Sequence, residues 1–478
     1  MKKKKAFTAE PPQVRDLNEA QALIQELWGK LREYEDRLAA SSRNSSQPPS
    51  QDSAADRAER KKLKAPGGRN PPGARPGHTG HRRRLSDQVD AVVACHPAMA
   101  CTCCGGTVEP YAHPSFRHQV FELPQQPLQV TEYQLFHGRC RGCGEVAKGA
   151  LPADAPRGQM GPALQAHIGV LAGQYHLSVR KIQQLLQAQF GVTFSVGAIS
   201  EVQGRVAFAL TPLHQALKRY ILKADCIHAD ETHHSRNDDP DHTRWHWLLS
   251  SVGAVFQQIL GFRNQEMAKQ LLADAHQAVV VTDQCASYHW LDATRHQFCW
   301  AHVQRNLQKM ADYARGGLTA RIGQRLVLLC RAVFRCQHRY QDGVWDELCW
   351  RHRMSRLRRR LDYWLKRGST VPSSRYAGRC QYLLKYEQGL WVFLNHADIP
   401  LTNNAAERDL RGAVIMRKIC YGTSSDRGDK FRSRLLSLVE TCKKRGKSPF
   451  KVLTEIMTAV QQQRPYPDVF GLNSPLSM

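Results

Sequence analysis

Apolar residues near the start of the chain recur at spacings of three and four. Leu17, Ala20, Ile24, Leu27, Leu31, Tyr34 and Leu38 make a seam of about three heptads. Arg15, Glu26, Lys30, Glu33 and Arg37 lie off it. The pattern predicts a short coiled-coil helix within residues 1–40. It can pair with another copy or pack on its own chain, and Gly29 weakens both. Helical spacing returns over residues 162–174. Ser178 then caps a run with Val179, Ile182, Leu185, Leu186 and Phe190 on one face. Gly191 marks a turn, and Ser195 caps a second helix. Helix, glycine turn and helix predict a helix-turn-helix DNA-binding region over 151–215, bringing Ser200, Gln203 and Arg205 to DNA.

From residue 220 the period shortens to that of strands. Residues 226–229 lead into Asp230, and 245–252 and 255–262 read as a meander. A helix is expected over 265–276, and the buried run 278–282 ends at Asp283. A strand over 296–300 and a helix over 302–313 follow. This order describes an RNase H-like α/β core, its first part spanning 216–313. Residues 314–395 read as a basic helical insertion, RHRMSRLRRRLDYWLKR being its clearest piece. The core resumes over 396–448 with a helix carrying Glu407, and 449–478 reads as a tail. The expected fold is multidomain and mainly α around that α/β core.

Residues 41–90 lack periodicity. Their first part is polar (SSRNSSQPPSQDS), and residues 57–84 are basic and rich in Gly and Pro. This linker is a solvated tether that can also lie along a phosphate backbone. Over 91–150, Cys101 and Cys104 form one C-x-x-C knuckle and Cys140 and Cys143 another, each followed by glycine. Paired knuckles are the donor pattern of a tetrahedral Cys₄ Zn²⁺ site, so a zinc-ribbon-like module is expected. Strands are expected between them, over 116–123 and 128–136. Cys103 is a possible substitute ligand, whereas Cys95 and His96 are bystanders.

Charge then narrows the partner. The chain has 478 residues and a net charge of +26, from 68 Lys and Arg against 42 Asp and Glu. That imbalance points to a polyanion, double-stranded DNA first. No signal-peptide core or membrane-spanning run is visible, so a soluble intracellular protein is expected. Fifteen scattered cysteines fit reduced thiols plus a metal site better than a disulfide framework.

Against this background Asp230, Asp283 and Glu407 acquire a joint meaning. Two aspartates at strand ends and a remote glutamate on a helix suit two Mg²⁺ (or Mn²⁺) ions. Ions roughly 3.5–4 Å apart can activate an attacking oxygen and stabilise a leaving one. Glu231 adjoins Asp230, but strand alternation turns it to the opposite face, which argues against it as a ligand. Asn403 and Asn404 are candidate caps for the Glu407 helix. Arg408, Arg411, Arg417 and Lys418 follow Glu407 and are candidate phosphate contacts. Arg411 is alternatively an i,i+4 partner of Glu407 itself. His302 is a candidate contact to the scissile region and Arg305 to a phosphate. Cys299 and Trp300 read as packing.

Taken in order, SSRNSSQPPSQD, PGHTGHRRR, the cysteine knuckles, IHADET, TDQCASY, FCWAHVQRNL and LTNNAAERDLRGAVIMRKICYG resemble the transposases of the insertion sequence 66 family. The likeness covers most of the chain, to about Pro449. It implies a DDE catalytic domain using divalent metal, with Asp230, Asp283 and Glu407 as the three acids. It implies element-end and target DNA as substrates and residence in the bacterial cytoplasm at the nucleoid. Companion proteins from the same element and a homo-oligomer are the expected partners. His233-His234 and Gln284-Cys285 depart from the family pattern, which bears on substrate contacts rather than on the acids. A nuclease that cuts without joining, or a non-catalytic DNA-binding regulator, are the competing functions.

Overall fold

The protein was analysed as a computed structural model, which describes residues 16–39, 85–121, 128–156, 158–239, 243–275, 277–313, 316–396 and 398–472. The linker expectation for 41–90 falls largely outside these residues. The chain divides into two units, residues 55–132 and the remainder.

In the smaller unit, Cys101 to Cys104 form a tight turn. The Cys101 N–H donates to Gly106 O at 2.8 Å, and the Gly105 N–H returns to Cys101 O at 2.9 Å. Gly105 has φ +73°, which a side chain would strain. Residues 116–121 and 128–132 form no strand, contrary to the sequence expectation. Phe116, Val120 and Val130 are exposed, so no apolar face exists there to hold strands together.

The larger unit begins with α1 (Leu17–Ala39). Its seam residues Leu17, Ile24, Leu27 and Leu31 are exposed. Residues 133–136 are likewise not a strand. The second knuckle closes a small hairpin of β1 (Gly138–Arg139) and β2 (Val146–Ala147). It repeats the first knuckle locally: Cys140 N–H donates to Glu145 O at 2.8 Å, and Gly144 N–H to Cys140 O at 2.9 Å.

Four helices follow: α2 (Pro162–Gly173), α3 (Val179–Phe190), α4 (Val196–Ala209) and α5 (Thr211–Leu222). Ser178 Oγ caps α3 and Ser195 Oγ caps α4, while Gly191 ends α3 with φ +69°. The helix–glycine turn–helix is thus present, with α4 partly sealed against the rest of the unit.

A five-stranded sheet comes next: β3 (Cys226–Ser235), β4 (Thr243–Ser250), β5 (Val255–Leu260), β6 (Val279–Thr282) and β7 (His296–Phe298). Its order is β5-β4-β3-β6-β7. The β3–β4 and β4–β5 pairs are antiparallel, and β3–β6 and β6–β7 parallel. Between β5 and β6 lies α6 (Gln265–Leu272). Every residue of β6 is buried, as a parallel strand covered on both faces requires.

Alternation sorts the sheet into two faces. Ile227, Ala229, Trp247, Leu249, Phe256 and Val280 pack with α2–α5. On the other face Leu248 and Val255 meet Ala406 and Leu410 of α11 (Asn404–Ile419). Val279, Val281 and Phe298 meet α7 (Trp300–Ala311) and the insertion helices α8 (Gly317–Gln341), α9 (Glu347–Gly368) and α10 (Ser374–Lys385). Gly323 of α8 lies so close to α7 that an added Cβ would meet the Ala311 backbone nitrogen. Only glycine fits that crossing.

The chain finishes with α12 (Asp426–Lys444) and α13 (Pro449–Gln461). Buried Arg236 at the end of β3 pairs with Asp426 at 3.0 Å and Asp429 at 2.5 Å, tying α12 to the sheet. The segment from 449, expected as a tail, instead sends Leu453 and Ile456 into the same core as α2.

Candidate active site

Cross-strand pairing decides where the β3 acids point. Asp230 sits opposite Leu248, on the α11 face; Glu231 sits opposite Trp247, on the other. Asp283 follows the last residue of β6, and Glu407 lies in the first turn of α11. Three segments remote in sequence therefore bring acids to one region.

Asn403 fixes that meeting. Its side chain is fully buried, and Nδ2 donates to the Ala229 carbonyl at 2.8 Å, one residue before Asp230. Its Oδ1 lies 2.9 Å from His228 Nδ1, and its backbone N–H donates to Cys299 Sγ at 3.2 Å. Asn403 O then accepts the Glu407 N–H at 3.1 Å. The side chain forms no cap bond, correcting the capping role read from sequence. Its amide is spent instead on β3, while the backbone N–H ties the same turn to the start of α7. Cys299 and Trp300 are buried packing residues, as expected.

The acids repel one another. Burial pushes the Asp230 carboxyl up to about 8, and the charges of Glu231, Asp283 and Glu407 push the same way. Only the Glu231 N–H, 2.9 Å from Oδ1, opposes the rise. Asp283 Oδ1 accepts the Cys285 N–H at 2.7 Å. Glu407 Oε1 stands 3.6 Å from His302 Nε2, on the first turn of α7. Burial and Arg305 hold the His302 imidazole below its usual range against the pull of Asp283 and Glu407.

Glu231 has a part that its sequence position did not reveal. Its side chain is wholly buried. Oε1 accepts Arg263 Nε at 2.5 Å, and Oε2 accepts Tyr288 Oη at 2.5 Å. The same guanidinium reaches Asp283 Oδ2 at 3.6 Å and stacks over Trp245 at 5.0 Å. Glu231, Asp283 and Cys285 offer donor atoms within 4.8 Å of one another, the one such group among the described residues. Asp230 and Glu407 stand outside this tighter group, though Asp230 feels the charges of Glu231, Asp283 and Glu407. Alternation does separate Glu231 from Asp230, but Asp283 lies beyond the strand end, where alternation no longer applies.

As a donor set the site fits divalent cations. Carboxylate oxygens outnumber cations, and the repulsion carried by Asp230 is what a bound cation relieves.

The other candidates are dispersed. Arg408, Arg411 and Lys418 are exposed on α11, and among the described residues Arg411 makes no ion pair with Glu407. Arg417 is engaged by β3, donating to Thr232 Oγ1 at 2.9 Å. Arg305 is exposed one turn beyond His302. On α4, Arg205 is exposed and Gln203 half-buried. Ser200 and Glu201 are held by Arg427 of α12, so that edge of α4 faces protein rather than a ligand. At the knuckles, backbone N–H groups of Cys103 and Cys104 lower the Cys101 thiol, and those of Cys143 and Gly142 lower Cys140. Both are inclined toward the thiolate a metal needs.

Comparison with known proteins gives this arrangement a family. The transposase IS66 family matches residues 157–430, and a family of unknown function (DUF6444) matches residues 9–84. The chain belongs to the transposase IS66 family. The uncharacterized protein y4hP of Sinorhizobium fredii (strain NBRC 101917 / NGR234) is 23% identical over 402 residues, covering 77% of this chain and 72% of that protein. The uncharacterized protein y4jD of the same organism is 24% identical over 402 residues, covering 76% and 74%. A third, y4jO, is 30% identical over 172 residues, covering 36% and 49%. Among the described residues no helix is long and apolar enough to cross a membrane.

Proposed function

We propose that the protein is a DDE-type DNA transposase that cuts the ends of an insertion sequence and joins them to target DNA, with Asp230, Asp283 and Glu407 as its acids. The observation that carries this reading is geometric: Asp230 lies on β3 and Asp283 follows the neighbouring parallel strand β6, and Asn403 ties the first turn of the Glu407 helix to β3. The sheet order, with its central β3 beside β6, supports an RNase H-like core. Family membership supports the transposase role.

In this reading Asp230, Asp283 and Glu407 hold Mg²⁺ or Mn²⁺. Divalent ions held by these residues would supply Lewis-acid polarisation of the attacking and leaving oxygens of a DNA phosphodiester. The chain's own residues prepare the site. Asn403 sets Glu407 against β3, His302 steadies Glu407, and Arg263 steadies Asp283. Burial of the Asp230 carboxyl strengthens its own charge interactions. Cys101, Cys104, Cys140 and Cys143 serve as zinc thiolates. Arg205 and Gln203 on α4, with Arg408, Arg411 and Lys418 on α11, contact DNA. The exposed seam of α1 supports self-association.

The test is strand transfer from a plasmid carrying the element ends. Asp230→Asn, Asp283→Asn and Glu407→Gln should each abolish joining while DNA binding persists. Joining by any of the three overturns the assignment.

A further inference from the structure

Two helices leave the acidic region side by side, and their outer faces carry cations that no acid balances. On α7, His302 is followed at helical spacing by Arg305 and Lys309; on α10, Arg375 and Arg379 are one turn apart. The helices are stitched beneath these residues. Asn306 Nδ2 and Arg379 NH1 both donate to Gln284 Oε1, at 2.7 and 3.2 Å, beside Asp283. Met310 and Cys380 touch through sulfur at 3.9 Å, and Tyr313 meets Tyr376 at 5.4 Å. Arg305, Lys309 and Arg375 are exposed and Arg379 is half-buried. None of the four has an ion-pair partner among the described residues. Burial, then Arg375, Arg379 and Arg305, hold the Lys309 ammonium below its usual range, so the four feel one another.

Like charges packed together without a counter-charge call for an external anion. From His302 to Lys309 the helix rises about 10 Å, and one DNA strand carries a phosphate every 3.4 Å or so of axis. The stripe therefore spans roughly three phosphate-to-phosphate steps of one strand. We infer that the α7–α10 face is a backbone track, on which Arg305, Lys309, Arg375 and Arg379 hold the phosphates of the DNA flank leading away from the reacting position. The inference rests on the DNA-acting reading above and adds the route the strand takes. It needs no base contact, so it is independent of sequence.

The test uses the full-length protein and a fluorescein-labelled duplex of arbitrary sequence, in EDTA so that no chemistry intervenes. The triple variant Arg305→Gln, Lys309→Gln, Arg375→Gln removes exposed side chains only. Its slope of log affinity against log salt should be shallower than the wild-type slope by about 2–3. Between about 50 and 200 mM salt it should then lose about 40-fold less affinity than wild type. A comparison triple, Arg356→Gln, Arg359→Gln, Arg360→Gln on exposed α9, controls for lost net charge and should keep the wild-type slope. A photo-crosslinking residue at position 309 should label the DNA, and one at 359 should not. An unchanged slope in the first triple, an equal change in both triples, or no crosslink from 309 overturns the track. None of these outcomes touches the acid assignment, which is tested by joining in Asp230→Asn.

Discussion

Glu231 and Arg263 form a carboxylate–guanidinium pair, Oε1 to Nε at 2.5 Å, with the carboxylate wholly buried and the guanidinium about one-third exposed. Tyr288 takes the other oxygen, so each carboxylate oxygen already accepts a hydrogen bond. Proximity alone groups Glu231 with Asp283 and Cys285 as metal donors. The hydrogen bonds argue that Glu231 is a clamp for Arg263 rather than a ligand. Glu231→Gln should therefore lower stability by about 2 kcal/mol, less than a fully buried broken pair because Arg263 reaches solvent. Tyr288→Phe should cost about 1–3 kcal/mol. Urea unfolding measures both. The discriminating readout is the Mg²⁺-induced rise in Tm, which should survive in Glu231→Gln. Its disappearance would make Glu231 a ligand.

Asn403 should be the most sensitive uncharged position near the acids. Asn403→Ala orphans the Ala229 carbonyl and the His228 ring nitrogen in a fully buried setting. Each orphan costs about 1–3 kcal/mol, so a total loss of about 2–6 kcal/mol is expected. Joining should fall further than stability alone explains, because Glu407 loses its fixed distance from β3. Measuring both at a temperature where the variant is fully folded separates the effects. Wild-type joining rates in a folded Asn403→Ala would remove the positioning role.

Much of this architecture is legible in the sequence because it rests on local signals. Ser178 and Ser195 precede helical runs and do cap them. The apolar run before Asp283 is β6, and the run before Asp230 opens β3; β3 continues to Ser235, however, so Asp230 lies mid-strand and not at the strand end expected from sequence. The failures are where partners decide. Residues 116–121 and 128–136 alternate like strands but find no sheet, and their apolar groups stay exposed. Arg263 follows β5 with no spacing that ties it to Glu231, and Tyr288 sits in a short turn after Asp283. Asn403 looks like a cap because it stands where caps stand, and only the packing of β3 against α11 redirects its amide.

The knuckles make a compositional prediction. Backbone amides already favour the thiolate at Cys101 and Cys140, which lowers the work of deprotonation on metal binding. Protein purified without chelator should carry zinc, measured by elemental analysis. Cys104→Ser and Cys143→Ser should each lower that zinc content. Zinc content equal to wild type in both variants would leave the cysteines as ordinary thiols.

Asp230 supplies the sharpest pH dependence. Its carboxyl ionises near 4 when free and near 8 in the folded chain, because burial and then three neighbouring acids disfavour the charge. The native state holds a proton that the unfolded chain has released throughout that window. Stability from this residue is therefore complete below about 4 and is lost as pH rises through 8. Asparagine cannot ionise, so Asp230→Asn escapes the loss. In EDTA, the variant should match the wild-type Tm near pH 4. It should exceed wild type by on the order of several degrees at pH 9. Mg²⁺ should reverse the order at pH 8, raising the wild type and leaving the variant nearly unmoved, since the repulsion that burdens the free carboxylate is what favours a bound cation. A difference in Tm that stays flat from pH 5 to pH 9 would mean that Asp230 is not buried among the other acids, and the site would lose its centre.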